Sequence, residues 1–155
     1  MKKDAILSED RKFRYILSRV WDEAKTTVLF IGLNPSTADE NEDDPTIRRC
    51  INFAKSWGYG GILMANLFAY RATNPRVLYS EQDPIGSDND FYIKEYADKS
   101  EMIIACWGNH GSFNNRSHEV YELVDSLHCL DTNKSGEPKH PLYIRNDAKP
   151  KPYKR

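Results

Sequence analysis

Three short apolar runs, "TTVLFIG" (residues 26–32), "GGILMANLF" (60–68) and "EMIIACWG" (101–108), recur along the chain with helix-patterned stretches between them. The first is β-branched and apolar on both faces, as a strand in the interior of a sheet covered on each side by helices must be. Alternation of such strands with helices predicts an α/β fold, a three-layer sandwich with a largely parallel central sheet.

The 155 residues are one domain's worth, and 39% hydrophobic with 12% aromatic content is a globular composition. A single domain over residues 1–155 is expected. Asp44 is a natural N-cap and Pro45 a natural first helical residue, which predicts a helix from Pro45 to about Trp57, ending near Gly58. "NDFYIKEYADKS" (89–100) and "RSHEVYELVDS" (116–126) read as helices, "LHCLD" (127–131) as a short strand and "NKSG" (133–136) as a turn. Residues 1–24 read as a hairpin or a helix. In "FRYILSRVW", Phe13, Ile16, Leu17 and Val20 fit a helix, whereas Phe13, Tyr15 and Leu17 fit a strand leading through "DEAK" into the next run, the preferred reading.

A net charge of -1 gives no overall basic field, so a nucleic-acid partner would need a local patch. From Lys134 onward the chain carries Lys134, Lys139, Arg145, Lys149, Lys151, Lys154 and Arg155 against only Glu137 and Asp147. Residues 146–155 read as a basic, flexible tail, either merely solubilising or the patch itself. Cys50, Cys106 and Cys129 form no C-x-x-C pair and share no ligand spacing with the four histidines, so no metal and no cofactor are expected. The N-terminus lacks the apolar core of a signal peptide and no stretch approaches a membrane span, which makes the cytoplasm the default expectation.

In parallel sheets ligands sit where the chain leaves the carboxyl ends of the strands. The polar clusters fall there: "GLNPST" after the first run, Asn66 at the end of the second, "WGNHG" after the third and "KHPLY" after the fourth strand. The order of these landmarks resembles the uracil-DNA glycosylase superfamily over roughly residues 28–145. Gly32-Leu33-Asn34-Pro35 is similar to its first motif in the Asn-bearing form of the mismatch-specific branch, and His140-Pro141 to the start of its second. More closely, "GLNPSTAD", "DDPTIRRC", "WGYGG", "NLFAYRAT" and "KSGEPKHPLY" resemble the domain-of-unknown-function family 1643, which carries no established activity.

The superfamily resemblance implies a fold of that type and hydrolysis of the N-glycosidic bond of a modified or mismatched base. Such a bond breaks with oxocarbenium character on the sugar and negative charge on the departing base. Asn34 and His140 are then the catalytic candidates, Asn34 holding a water and His140 stabilising the leaving base. Gly32, Leu33, Pro35, Ser36, Asn66, Arg71, Trp107, Gly108 and Asn109 would form the base or nucleotide site, Asn66 reading the amide edge of the base. Ser36 stands where the uracil-specific branch has a Tyr that rejects a 5-methyl group, which leaves room for a larger base. Leu142 or Tyr143 would fill the gap left by an extracted base, and Lys139 and Arg145 would meet the backbone. The partner is single- or double-stranded DNA or a free nucleotide. The second motif departs from the family, reading His-Pro-Leu-Tyr instead of His-Pro-Ser.

Plainer readings stand beside these. Asn34-Pro35 can be a turn, Asn66 a capping residue, His140 a partly buried core histidine, and Trp57 and Trp107 core residues. Arg48, Arg49 and Arg71 can be solvated or paired with the acidic loop. A binding module or a hydrolase of free nucleotides fits the same pocket without handling duplex DNA. Asp39, Asp43 and Asp44 together could hold a divalent cation, although helix capping already accounts for Asp44.

Overall fold

The computed structural model describes residues 1–155. Seven strands form one sheet: β1 (Lys2–Leu7), β2 (Arg14–Val20), β3 (Thr27–Gly32), β4 (Gly61–Asn66), β5 (Ile103–Ala105), β6 (His128–Cys129) and β7 (Lys151–Pro152). Their spatial order is β1-β2-β4-β3-β5-β6-β7. The inner four, β4, β3, β5 and β6, are mutually parallel, whereas β1, β2 and β7 join antiparallel. The fold is therefore mixed α/β, with the parallel pairing confined to the centre.

Alternation along β3 shows why the sheet needs cover on both sides. Val28 and Phe30 enter one core, with Ile47, Cys50, Ile51 and Phe53 of helix α1 (Pro45–Ser56). Leu29 and Ile31 enter the other, with Ile93 of helix α2 (Asn89–Asp98) and Val120 of helix α3 (Arg116–Leu123). Helix α1 begins as its sequence predicts, Asp44 Oδ1 accepting from the Ile47 N–H at 3.0 Å with Pro45 in the first turn. No helix is long and apolar enough to cross a membrane.

Two expectations need correction. The N-terminal hairpin exists, but it is β1 and β2 that pair, through "SEDRK"; β2 leads through "DEAK" into β3 as expected and does not pair with it, because β4 lies between them. The turn is closed by Ser8 and Asp10, whose side chains accept from the Phe13 and Lys12 N–H groups. Gly60 and Gly61 let β2 approach β4: a Cβ on Gly60 would lie 2.0 Å from the Asp22 carbonyl oxygen, and one on Gly61 2.8 Å from that of Arg19.

The basic C-terminal segment, expected to be flexible, is docked. Lys151–Pro152 pairs with β6, and Tyr153 is 4% exposed, edge-on to Trp107 with ring centroids 6.1 Å apart. Burying one aromatic ring anchors an otherwise hydrophilic stretch, and two of the segment's cations are paired: Lys151 with Asp131 at 3.3 Å, and Arg155 with the buried Glu137 at 3.2 Å.

Candidate functional site

The chain leaves β3 toward α1 on one face and leaves β4 and β5 toward α2 and α3 on the other. The reversal falls between β3 and β5, the position where open α/β sheets form a ligand crevice. A cleft of about 590 Å³ lies there. Its walls include Gly32, Leu33, Asn34, Pro35 and Ser36 after β3, Asn66 ending β4, Trp107, Gly108 and Asn109 after β5, and His140, Leu142 and Tyr143 beyond β6. Four segments read separately in the sequence thus meet in one cavity.

Each side chain is held by its neighbours. Asn34 donates its amide nitrogen to the Ala72 carbonyl at 2.8 Å and to the Pro35 carbonyl at 3.0 Å, which leaves Oδ1 as an acceptor. Asn66, 3% exposed, has no hydrogen-bond partner for Nδ2. A buried amide N–H without a partner costs about 1–3 kcal/mol, so a ligand acceptor there would recover it. Asn66 is not a cap of the next helix; its carbonyl instead accepts from Asn89 at 2.9 Å.

His140 accepts at Nδ1 from the Leu142 N–H at 3.2 Å, which leaves the proton of the neutral ring on Nε2. Burial lowers its pKa below 6.5, with nearby Asp44 acting in the opposite sense. At neutral pH it is an uncharged donor. Leu142 and Tyr143, 47% and 82% exposed, stand at the rim on a short 3-10 turn. Arg49 of α1 ties that turn down through the Pro141 carbonyl at 3.3 Å and the Ile144 carbonyl. This, with its stacking over Phe53 at 4.8 Å, gives Arg49 a structural duty.

Trp107 is both core and cleft wall. Its indole N–H points to Glu137 Oε1 at 3.4 Å, and Glu137 also accepts from Ser117 at 2.8 Å and from Arg155. Gly111 passes under the ring so closely that a Cβ would lie 2.2 Å from Cδ1. Trp57 is core alone, stacked on Phe30 and Phe53 and donating to the Ala148 carbonyl. Asn109 spends its side-chain oxygen on Asn133 and Ser135.

Three predicted residues lie outside the cleft. Lys139 and Arg145 pair with Asp131 at 3.6 Å and Asp147 at 3.4 Å. Arg71 lines a separate groove that shares Ser36, Ala72 and Thr73 with the cleft.

Sequence reading missed Arg14, which is 2% exposed and lines the cleft. It donates to the Ala38 carbonyl at 2.9 Å, its Nε has no partner, and burial lowers its pKa to about 10 despite Asp44 nearby. The one signal was a cation opening the apolar run "RYIL"; the other buried arginine of the strand, Arg19, stands near its far end.

Arg19 explains most of the acidic loop. It pairs with Asp43 at 2.7 Å and donates to the Asp39 and Glu42 carbonyls, while Arg11 pairs with Glu40 at 2.6 Å. Asp39 accepts from the Asn41 and Glu42 N–H groups, which keep its pKa low. No three His, Cys, Asp or Glu residues meet in metal-binding geometry. Cys106 lines the cleft, but burial pushes its thiol up to about 12, so it is no thiolate nucleophile.

The sequence model of one family, described as a protein of unknown function (DUF1643), matches residues 14–142. No curated protein and no solved structure matches the chain.

Proposed function

The chain belongs to the DUF1643 family, and we propose that its cleft binds a nucleobase and hydrolyses the bond joining that base to a sugar, in the manner of the uracil-DNA glycosylase superfamily. The observation that carries this reading is the meeting of Asn34, Asn66, Trp107 and His140 in one cavity at the strand ends, with the polar atoms Asn66 Nδ2, Asn34 Oδ1 and His140 Nε2 left free of partners in the chain.

The chemistry then divides among them. Asn66 reads the amide edge of the base with the donors and acceptor it offers, and Trp107 forms an apolar wall beside it. His140 donates from Nε2 to the base oxygen on which negative charge develops; a neutral donor in a partly desolvated site serves this without titrating at neutral pH. Asn34 Oδ1 orients the attacking water. An amide is a weak base, so turnover is slow compared with a carboxylate-assisted reaction. Ser36 leaves room beside the ring for a 5-substituted or larger base.

A second reading, a nucleotide-binding module or an N-glycosidase of free nucleotides, is favoured by the pairing of Lys139, Arg145, Lys151 and Arg155 with carboxylates. Each carboxylate offsets part of the basic field that a phosphate backbone would meet. The test is incubation with single- and double-stranded oligonucleotides carrying modified bases, scored for abasic sites, beside free nucleosides and nucleotides scored for released base. Abasic sites in either oligonucleotide support the first reading. Release from nucleotides alone selects the second, and release from none overturns the hydrolytic role.

A further inference from the structure

We propose that the groove beside the cleft, lined by Arg11, Lys12 and Arg71, is a phosphate subsite for the sugar phosphate of a base held in the cleft. The inference rests on the nucleobase reading for its link to the cleft, and on the groove alone for its anion chemistry.

The groove has a volume of about 380 Å³ and no carboxylate among its lining residues. Two chain segments distant in sequence build it: the β1–β2 turn brings Arg11 and Lys12, and the segment after β4 brings Arg71. They are joined where the Arg71 guanidinium donates to the Arg11 carbonyl at 3.2 Å. Arg71 Nε is buried without a partner, and Lys12 is exposed and makes no ion pair. Arg11 is partly neutralised by Glu40 at 2.6 Å and Asp39 at 3.8 Å. Ser36, Thr37 and Thr73 add hydroxyl donors around the cations. Guanidinium groups, an exposed ammonium and hydroxyl groups suit the several acceptor oxygens of a phosphate.

Position supplies the link. Ser36, Ala72 and Thr73 line both the groove and the cleft, and the Ala72 carbonyl holds the Asn34 amide at 2.8 Å. The groove therefore opens beside the group that would orient the attacking water, which is where the sugar of a bound base must lie and its phosphate must emerge. That phosphate could belong to a free nucleotide or to a strand.

Calorimetric titration with inorganic phosphate, thymidine, thymidine 5′-monophosphate and a single-stranded oligothymidylate tests this on the wild type, Lys12→Gln and Arg71→Gln. The Lys12 side chain makes no hydrogen bond or ion pair in the fold, so its variant remains informative if Arg71→Gln fails to fold. Inorganic phosphate should bind the wild type and weaken roughly tenfold in each variant, the loss of one charge-assisted contact. The monophosphate should bind more tightly than thymidine, and Lys12→Gln should reduce the difference by roughly tenfold. An advantage shown only by the oligonucleotide would also support the subsite and identify a strand as the source. Phosphate bound without any thymidine binding would sink the nucleobase reading and leave the anion site standing. No phosphate binding, or equal binding by wild type and Lys12→Gln, would overturn the proposal.

Discussion

Gly32 and Asn66 stand opposite each other at the ends of parallel strands β3 and β4, and a Cβ on Gly32 would lie 2.9 Å from Asn66 Oδ1. The glycine is the space in which the Asn66 amide sits. Gly32→Ala should displace that amide, with a core-overpacking cost of about 1–3 kcal/mol and a loss of up to roughly 100-fold in any turnover. Urea unfolding and base-release assays on the same preparation would check both, and unchanged turnover would remove Asn66 from base reading.

Asn34 donates to two carbonyl oxygens. Asn34→Ala should lower base release by roughly an order of magnitude or more. From sequence, Asn34→Asp should retain or raise activity by supplying a carboxylate. The structure argues otherwise, since the aspartate would face the Pro35 and Ala72 carbonyls with an acceptor in place of a donor. Asn34→Asp should therefore lose thermal stability and gain no activity at neutral pH. A faster Asp variant would show that the loop can turn the carboxylate to the water.

Burial lowers the pKa of His140 below its ordinary 6.5. Between the two values the unfolded chain binds more protons than the folded one, so stability falls as pH drops below about 6.5. The thermal midpoint of the wild type should decline from pH 6.5 downward more steeply than that of His140→Gln. Parallel curves would mean that His140 titrates normally in the fold.

Arg14 is a buried, under-satisfied cation in the cleft wall. Arg14 offsets the buried Asp44 carboxylate and donates to the Ala38 carbonyl, and taking away one partner of a buried charge pair costs about 3–5 kcal/mol. Arg14→Met should lower the unfolding midpoint in urea and also weaken binding of an acceptor-rich ligand by roughly tenfold or more. Destabilisation with intact binding would make Arg14 a purely structural residue.

Tyr153 closes one core against Trp107 and Tyr121, and its hydroxyl donates to the Gly136 carbonyl at 3.0 Å. Tyr153→Ala should cost about 3–5 kcal/mol in chemical unfolding, as truncation of a buried aromatic does. A change within about 0.5 kcal/mol, the range of an ordinary surface substitution, would restore the flexible-tail reading.

The sequence by itself determined the elements whose causes are local. The apolar faces of Val28 to Ile31 required a sheet interior, Asp44-Pro45 started a helix, and strand ends marked by Asn34, Asn66, Trp107 and the residues before His140 pointed to one edge of the sheet. Only the tertiary structure decided what depends on partners distant along the chain. Strand pairing is such a property: β2 joins β4 and not β3 because Gly60 and Gly61 admit its backbone, a fact invisible from β2. So is the fate of each charge. Arg14 and Arg19 look alike five residues apart on one strand, yet Arg19 spends its donors on the acidic loop while Arg14 keeps an unpartnered N–H beside the cleft. Electrostatic pairing and desolvation are set by what the fold brings within a few ångströms, and composition holds no record of that distance.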